Sequence, residues 1–186
     1  QSNYLELSDA IQIMKSDDSR LNCNILHLNI QSLPAKFEKL KILLGELENQ
    51  GIHFDIILLC ETFLHGANSD FFSIPGYDFI SKHRNSMKGG GVAMYIKSSI
   101  TYNLKEDLST FIEGQYESIF IEATLLGIKT LIGEIYRPPG TNADISIEHY
   151  ENMFSKVKHY KNIIIGTDQN FDLLKFECHN QTTDFL

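Results

Sequence analysis

The residues in this chain best suited to chemistry stand at the ends of apolar runs. Ile163, Ile164 and Ile165 are followed by Gly166, Thr167, Asp168, Gln169 and Asn170, so an apolar, β-branched run ends in a carboxylate and an amide two residues apart. Residues i and i+2 of extended backbone project to the same side, which lets Asp168 and Asn170 aim into one pocket. An ordinary strand exit uses the same residue types, since Gly, Asp and Asn favour turns. What sets this stretch apart is repetition. Asn29 follows the run Cys23–Leu28, Glu61 follows Phe54–Cys60, and Tyr136 closes Lys129–Ile135. A carboxylate can hold a hard divalent cation through oxygen, and a second can orient or activate water. An amide can position phosphate oxygens and a phenol can support developing charge, although packing with a wet hydroxyl is the commoner role of a tyrosine. Together these are the parts that metal-assisted phosphodiester hydrolysis needs.

The elements that must position these groups alternate in type. Cys23–Ile30 predicts a first core strand. Leu33, Phe37, Leu40, Leu44 and Leu47 are spaced 4, 3, 4 and 3, which predicts a helix with Ser32 as its cap, Pro34 in its first turn and Gly51 after its end. Phe54–Cys60 is a second buried strand, so strand, helix and strand form a parallel crossover whose carboxyl ends are where α/β sheets gather sites. From Phe71 the pattern changes to hairpins. Ile74-Pro75-Gly76-Tyr77 is a turn, Tyr77–Ser81 a short strand, and Gly89-Gly90-Gly91 a hairpin turn into the strand Val92–Lys97. Lys82, His83, Arg84 and Lys88 make one locally basic loop, with Arg84 and Lys88 as candidate contacts to a DNA backbone and Arg137, beside Tyr136, as a third. Glu117–Leu125 alternates, with Ile119, Ile121, Ala123 and Leu125 facing in and Ser118, Glu122 and Thr124 facing out; Lys129–Tyr136 is its hairpin partner. A helix over 144–160, capped by Asp144, presents Ile147, Tyr150, Phe154 and Val157, and the Ile163–Ile165 strand follows, buried on both faces.

Length and composition bound the remainder. A chain of 186 residues, 42% hydrophobic and 22% charged, suits one domain with a sizeable core. Residues 1–20 read as a lead-in with a short helix, and residues 21–186 as the domain. No apolar run approaches the ~20 residues of a membrane span, and the N-terminal stretch lacks the basic-then-apolar pattern of a secretory signal. These features predict an intracellular protein, nuclear or cytoplasmic, without a membrane. Cys23, Cys60 and Cys178 are few and far apart, and read as buried free thiols in a reducing compartment. A formal net charge of −8 argues against a protein that holds nucleic acid by electrostatics alone, so a nucleic-acid role needs a metal, a local patch or another segment. None of the seven histidines stands where a general base is expected; His27 is mid-strand.

In order, H-L-N-I-Q-S-L at 27–33, L-L-C-E-T-F-L at 58–64, G-G-G-V-A-M-Y-I at 89–96, I-Y-R-P-P-G at 135–140 and G-T-D-Q-N-F-D-L-L at 166–174 resemble the endonuclease/exonuclease/phosphatase superfamily, in the form carried by non-LTR (LINE-type) retrotransposons. The resemblance implies an α/β (α+β) fold, a four-layer αββα sandwich of two mixed or antiparallel sheets flanked by helices. It also implies Mg2+-dependent (or Mn2+-dependent) nicking of DNA, with a reverse transcriptase domain of the same polyprotein as a partner. Carried over by residue, Glu61 resembles the metal-ligand glutamate and Asn29 the asparagine beside the metal. Tyr136 matches the phosphate-facing tyrosine, and Asp168 and Asn170 the G-D-x-N pair, here T-D-Q-N. The family's Ser-Asp-His block, with the catalytic histidine, has no counterpart. The resemblance therefore implies a domain incomplete at the C-terminus, with impaired activity. Another phosphoesterase of the same superfamily, or an inactive relic, are the alternatives.

Overall fold

A computed structural model of the chain describes residues 7–16, 23–66 and 71–171. Its elements run α1 (Leu7–Ser16), β1 (Ile25–Asn29), α2 (Leu33–Asn49), β2 (Ile56–Cys60), β3 (Tyr77–Lys82), β4 (Val92–Lys97), β5 (Tyr102–Leu104), β6 (Phe111–Ile112), β7 (Tyr116–Leu125), β8 (Ile128–Tyr136), α3 (Ala143–Lys156) and β9 (Asn162–Asp168). Cys178 lies outside the described residues.

The first sheet has the order β1-β2-β4-β3, with β1 parallel to β2 and the other pairs antiparallel. The second runs β5-β7-β8-β9, β6 pairing with β7, and only β8–β9 is parallel. The stripe of α2 buries Leu33, Phe37, Leu40 and Leu47 against Ile57, Leu59, Ala93 and Tyr95 on one face of the first sheet. From the other face Ile56, Leu58, Cys60, Val92, Met94 and Ile96 meet Ile119, Ile121, Ala123 and Ile132 of the second sheet. The far side of that sheet offers Phe120, Leu131 and Ile135 to Met153 and to Val157, just past α3. The order helix, sheet, sheet, helix is the four-layer sandwich that the resemblance implies. Each full burial of such a side chain contributes roughly 1.5–3 kcal/mol, so the three interfaces hold the layers together.

Local rules explain the boundaries. Ser32 Oγ accepts from Ala35 N at 3.4 Å, and Pro34 occupies the first turn of α2, where no N–H is needed. Leu126 and Gly127, at φ 51° and 78°, make the two-residue turn that joins β7 to β8 with the sheet's own twist.

Three expectations need correction. Ser118 does not face solvent: it is fully buried because α3 covers the outer face of the second sheet. The cap of α3 is Asn142, whose Oδ1 accepts from Asp144 N at 2.9 Å. Its buried face runs through Ala143, Ser146 and Met153, leaving Phe154 half exposed, because small residues let this helix lie close to the sheet. Finally, β9 is not buried on both faces. Ile163 and Ile165 pack inward while Ile164 remains 39% exposed, since among the described strands β9 ends its sheet.

Candidate active site

Parallel pairing sets the site. Asn29 is in register with Cys60 across β1–β2, and Tyr136 with Asp168 across β8–β9, so both pairs end at one level. Parallel strands point their carboxyl ends to the same edge of a sheet, and the stacked sheets bring these two edges together. The following loops are zipped by backbone hydrogen bonds. Ile30 N donates to Cys60 O (3.0 Å), Ser32 N to Glu61 O (2.8 Å) and Leu33 N to Thr62 O (2.8 Å). Thr62 N and Phe63 N donate in turn to Gly91 O and Gly90 O, at 3.2 and 2.8 Å. Glu61 itself sits at φ 52°, a left-handed conformation that costs a non-glycine residue roughly 1–2 kcal/mol and that the zipped loops impose. Gly91 permits the close approach, because a Cβ there would lie 2.4 Å from Thr62 Oγ1.

The side chains converge accordingly. Asn29 Nδ2 donates to Glu61 Oε1 and to Asp168 Oδ2, both at 2.9 Å, and Tyr136 OH donates to Glu61 Oε1 at 3.2 Å. One amide nitrogen thus spends its two N–H bonds on two carboxylates from different sheets. Burial, and then the neighbouring Glu61 carboxylate, push the Tyr136 phenol well above its ordinary range, so it stays a donor at neutral pH. Among the described residues no Lys or Arg side chain hydrogen-bonds to this cluster. Two carboxylates, an amide and a phenol form an oxygen-rich face of net negative charge, which fits a hard cation such as Mg2+.

Neither a protein-family model nor a curated protein sequence matches the chain. Solved structures do. An endonuclease/exonuclease/phosphatase family protein from Bacteroides thetaiotaomicron superposes with a TM-score of 0.55 at 15% identity, over 88% of this chain and 66% of that one. The chain has the endonuclease/exonuclease/phosphatase fold. The endonuclease domain of TRAS1, a telomere-specific non-LTR retrotransposon, gives 0.58 at 15% identity over 80% of this chain and 59% of that one. A humanized TDP2 from D. rerio gives 0.59 at 15% over 83% and 65%. The chain spans less than two thirds of the length of each.

Within this endonuclease/exonuclease/phosphatase fold the structure brings Asn29, Glu61, Tyr136 and Asp168 together, and sorts the other expected residues differently. Asn170, at φ 51°, turns its Nδ2 to Arg137 O at 2.9 Å instead of joining Asp168 in a shared bond. Arg137 is 3% exposed: its Nη1 donates to Gln169 O at 2.9 Å, its Nη2 to Thr141 O at 2.5 Å, and its guanidinium lies 4.3 Å from the Phe171 ring centre. It fastens the loop behind Asp168 and is not the exposed backbone contact expected of it. Arg84 is likewise internal, 7% exposed, with Nε donating to Glu117, which also accepts from Gly91 N at 2.6 Å. A buried carboxylate needs such partners, and Arg84 serves that need rather than a phosphate. Lys88 remains exposed on a loop whose far end is zipped beside Glu61.

One residue escaped the sequence reading, and it pairs with a histidine read only as mid-strand. Glu134 shares the inward parity of Ile132 and Tyr136 on β8, is fully buried, and its Oε1 lies 3.1 Å from His27 Nε2. The bond to Glu134 raises the His27 pKa, and burial raises that of Glu134. The signal was present: a glutamate at an inward position of a period-2 strand cannot stay unpaired.

Proposed function

We propose that this chain is a divalent-metal-dependent phosphodiesterase that nicks DNA, the endonuclease domain of a retrotransposon-derived protein, with Mg2+ or Mn2+ as cofactor. The observation that carries the reading is the double hydrogen bond of Asn29 to Glu61 and Asp168 at the mouth between the sheets. Glu61 and Asn29 would hold the ion, which when bound supplies positive charge to the phosphate oxygens. Asp168 accepts the proton of the attacking water, and Asn29 keeps that carboxylate turned toward the phosphate. The Tyr136 hydroxyl donates to a phosphate oxygen as charge builds on it. The exposed Lys88 loop offers the DNA backbone a cation beside Glu61. A reverse transcriptase domain of the same polyprotein is the proposed partner, and an intracellular site, nuclear or cytoplasmic, the proposed location. Among the described residues no histidine hydrogen-bonds to Asn29, Glu61, Tyr136 or Asp168.

Supercoiled plasmid incubated with the chain tests this. Conversion to nicked circles with Mg2+ or Mn2+, abolished by EDTA, by Glu61→Gln and by Asp168→Asn, is the expected result. Nicking that persists in EDTA or in either variant overturns the assignment. Release of phosphate from a 3′-phosphorylated oligonucleotide with the plasmid left intact assigns a phosphatase of this fold instead.

A further inference from the structure

Beneath the exposed cluster, three side chains of different chemistry meet between the sheets. His27 comes from β1, Cys60 from β2 and Glu134 from β8, and their donor atoms all lie within 4.8 Å of one another. We propose that His27, Cys60 and Glu134 bind a borderline-soft divalent cation of the Zn2+ class, at a site separate from the cluster of Asn29, Glu61, Tyr136 and Asp168 above it.

The geometry and the chemistry of the group carry the proposal. Ligand atoms around a tetrahedral ion with bonds of about 2.0–2.3 Å stand roughly 3.5 Å apart, so side-chain shifts of about 1 Å close this group on an ion. His27 Nε2 and Glu134 Oε1, at 3.1 Å, are already at that spacing. Glu134 Oε2 is fully buried and, unlike Oε1, has no hydrogen-bond partner of its own, which leaves it open to an ion. Cys60 Sγ, fully buried, lies 3.9 Å from Leu28 O and interacts with the Glu134 carboxyl, so thiol and carboxyl already face each other. A thiolate, a carboxylate and a neutral imidazole sum to two negative charges, which a dication cancels, and thiolate and imidazole select Zn2+ over Mg2+. β9 leaves the space free: a Cβ on Gly166 would lie 2.5 Å from Glu134 Oε2 and 2.7 Å from His27 Cδ2. The His27 side chain is 33% exposed, which opens a path for entry and for a water as fourth ligand. Bound there, the ion ties both sheets together directly under Glu61, the residue after Cys60.

Co2+ added to the chain in a thiol-free reductant is the probe. The expected result is a thiolate-to-cobalt charge-transfer band, displaced by Zn2+, and a thermal midpoint that rises with Zn2+. His27→Gln and Cys60→Ser should weaken Co2+ binding by at least about a hundredfold, since losing even an outer partner of a ligand costs 10–100-fold. Cys60→Ala, which keeps an apolar side chain in the core, controls for misfolding. Glu61→Gln should keep the band, which separates this site from the nuclease reading. Absence of the band overturns the proposal. So does a band that survives in Cys60→Ser and Cys60→Ala, because the ion then sits on another cysteine.

Discussion

Asn29 and Asp168 are 139 positions apart in the chain, and a single 2.9 Å hydrogen bond between them joins the end strand of one sheet to the end strand of the other. The same nitrogen holds Glu61. Asn29→Ala removes both bonds and leaves two carboxylates facing each other without a shared donor. Its kcat/KM should fall by about 10²–10³, the scale of losing one positioned donor at a charged site. The exposed location limits the stability loss to about 1 kcal/mol. Asn29→Asp adds a third negative charge and should be the worse variant at low salt, improving as Mg2+ rises. Plasmid-nicking kinetics over a Mg2+ series check both. Equal activity of Asn29→Ala and wild type would remove Asn29 from the site.

Tyr136 separates packing from chemistry. Its ring is buried in the sheet-to-sheet core while its hydroxyl reaches Glu61. Tyr136→Phe keeps the ring and deletes the donor, so urea unfolding should change by less than about 1.5 kcal/mol. Turnover should fall about tenfold to a hundredfold with little change in KM, because the hydroxyl acts on charge that develops in the transition state. A matching fall in stability and activity would mean the hydroxyl only props the fold.

The part of the site that was legible is the part written in strand ends. Asn29, Glu61, Tyr136 and Asp168 each follow an apolar run, and local pattern shows where such runs stop. The fate of the arginines was not legible. Arg84 and Arg137 stand in polar, turn-like sequence, yet both are buried by partners distant in the chain: Glu117 for Arg84, and the carbonyls of Gln169 and Asn170 for Arg137. The face of α3 was misread for a related reason. Helical spacing permits two stripes there, and the sheet selected the one with small residues, Ala143 and Ser146, over the one with Phe154.

Arg137 tests whether burial overrides charge. Its guanidinium holds three backbone carbonyls across two loops, a planar fork that a lysine cannot copy. Arg137→Lys should therefore lower stability by about 2–3 kcal/mol and loosen the Asp168–Asn170 loop. The slope of DNA affinity against salt should not change, whereas loss of a phosphate contact would reduce it by about one. Lys88→Ala should do the reverse, lowering the salt slope and leaving the melting temperature in place. Thermal melts and fluorescence-anisotropy titrations at several salt concentrations read both quantities.

The buried pair of Arg84 and Glu117 predicts an asymmetric double-mutant cycle. Glu117 also accepts from Gly91 N and Gly114 N, so its carboxylate organises the glycine loop that is zipped to Glu61. Glu117→Ala should cost about 3–5 kcal/mol, because it leaves Arg84 uncompensated in the interior. Adding Arg84→Met should recover part of that loss while nicking stays impaired, since the glycine N–H groups remain without an acceptor. Full recovery of activity in the double variant would show that the loop does not depend on Glu117.

Glu122 gives the fold an acid limit. Its carboxylate accepts from Tyr160 OH at 2.6 Å and from Lys129 Nζ at 3.0 Å, and these bonds, the tyrosine's first, hold its pKa below the ordinary carboxylate value. A depressed pKa means that the folded state prefers the ionised form. The stabilisation is present above the unfolded value, about 4.3, and is lost as pH falls through the lower folded value. Glu122→Gln keeps an acceptor for Tyr160 but cannot titrate. The stability difference between wild type and this variant should stay constant from neutrality down to about pH 5, then shrink as pH falls below the unfolded value. Denaturant unfolding across that range measures it. A difference that stays flat as pH falls well below the unfolded value would show that Glu122 titrates alike in folded and unfolded chains, and that its two bonds contribute nothing specific to the charged form.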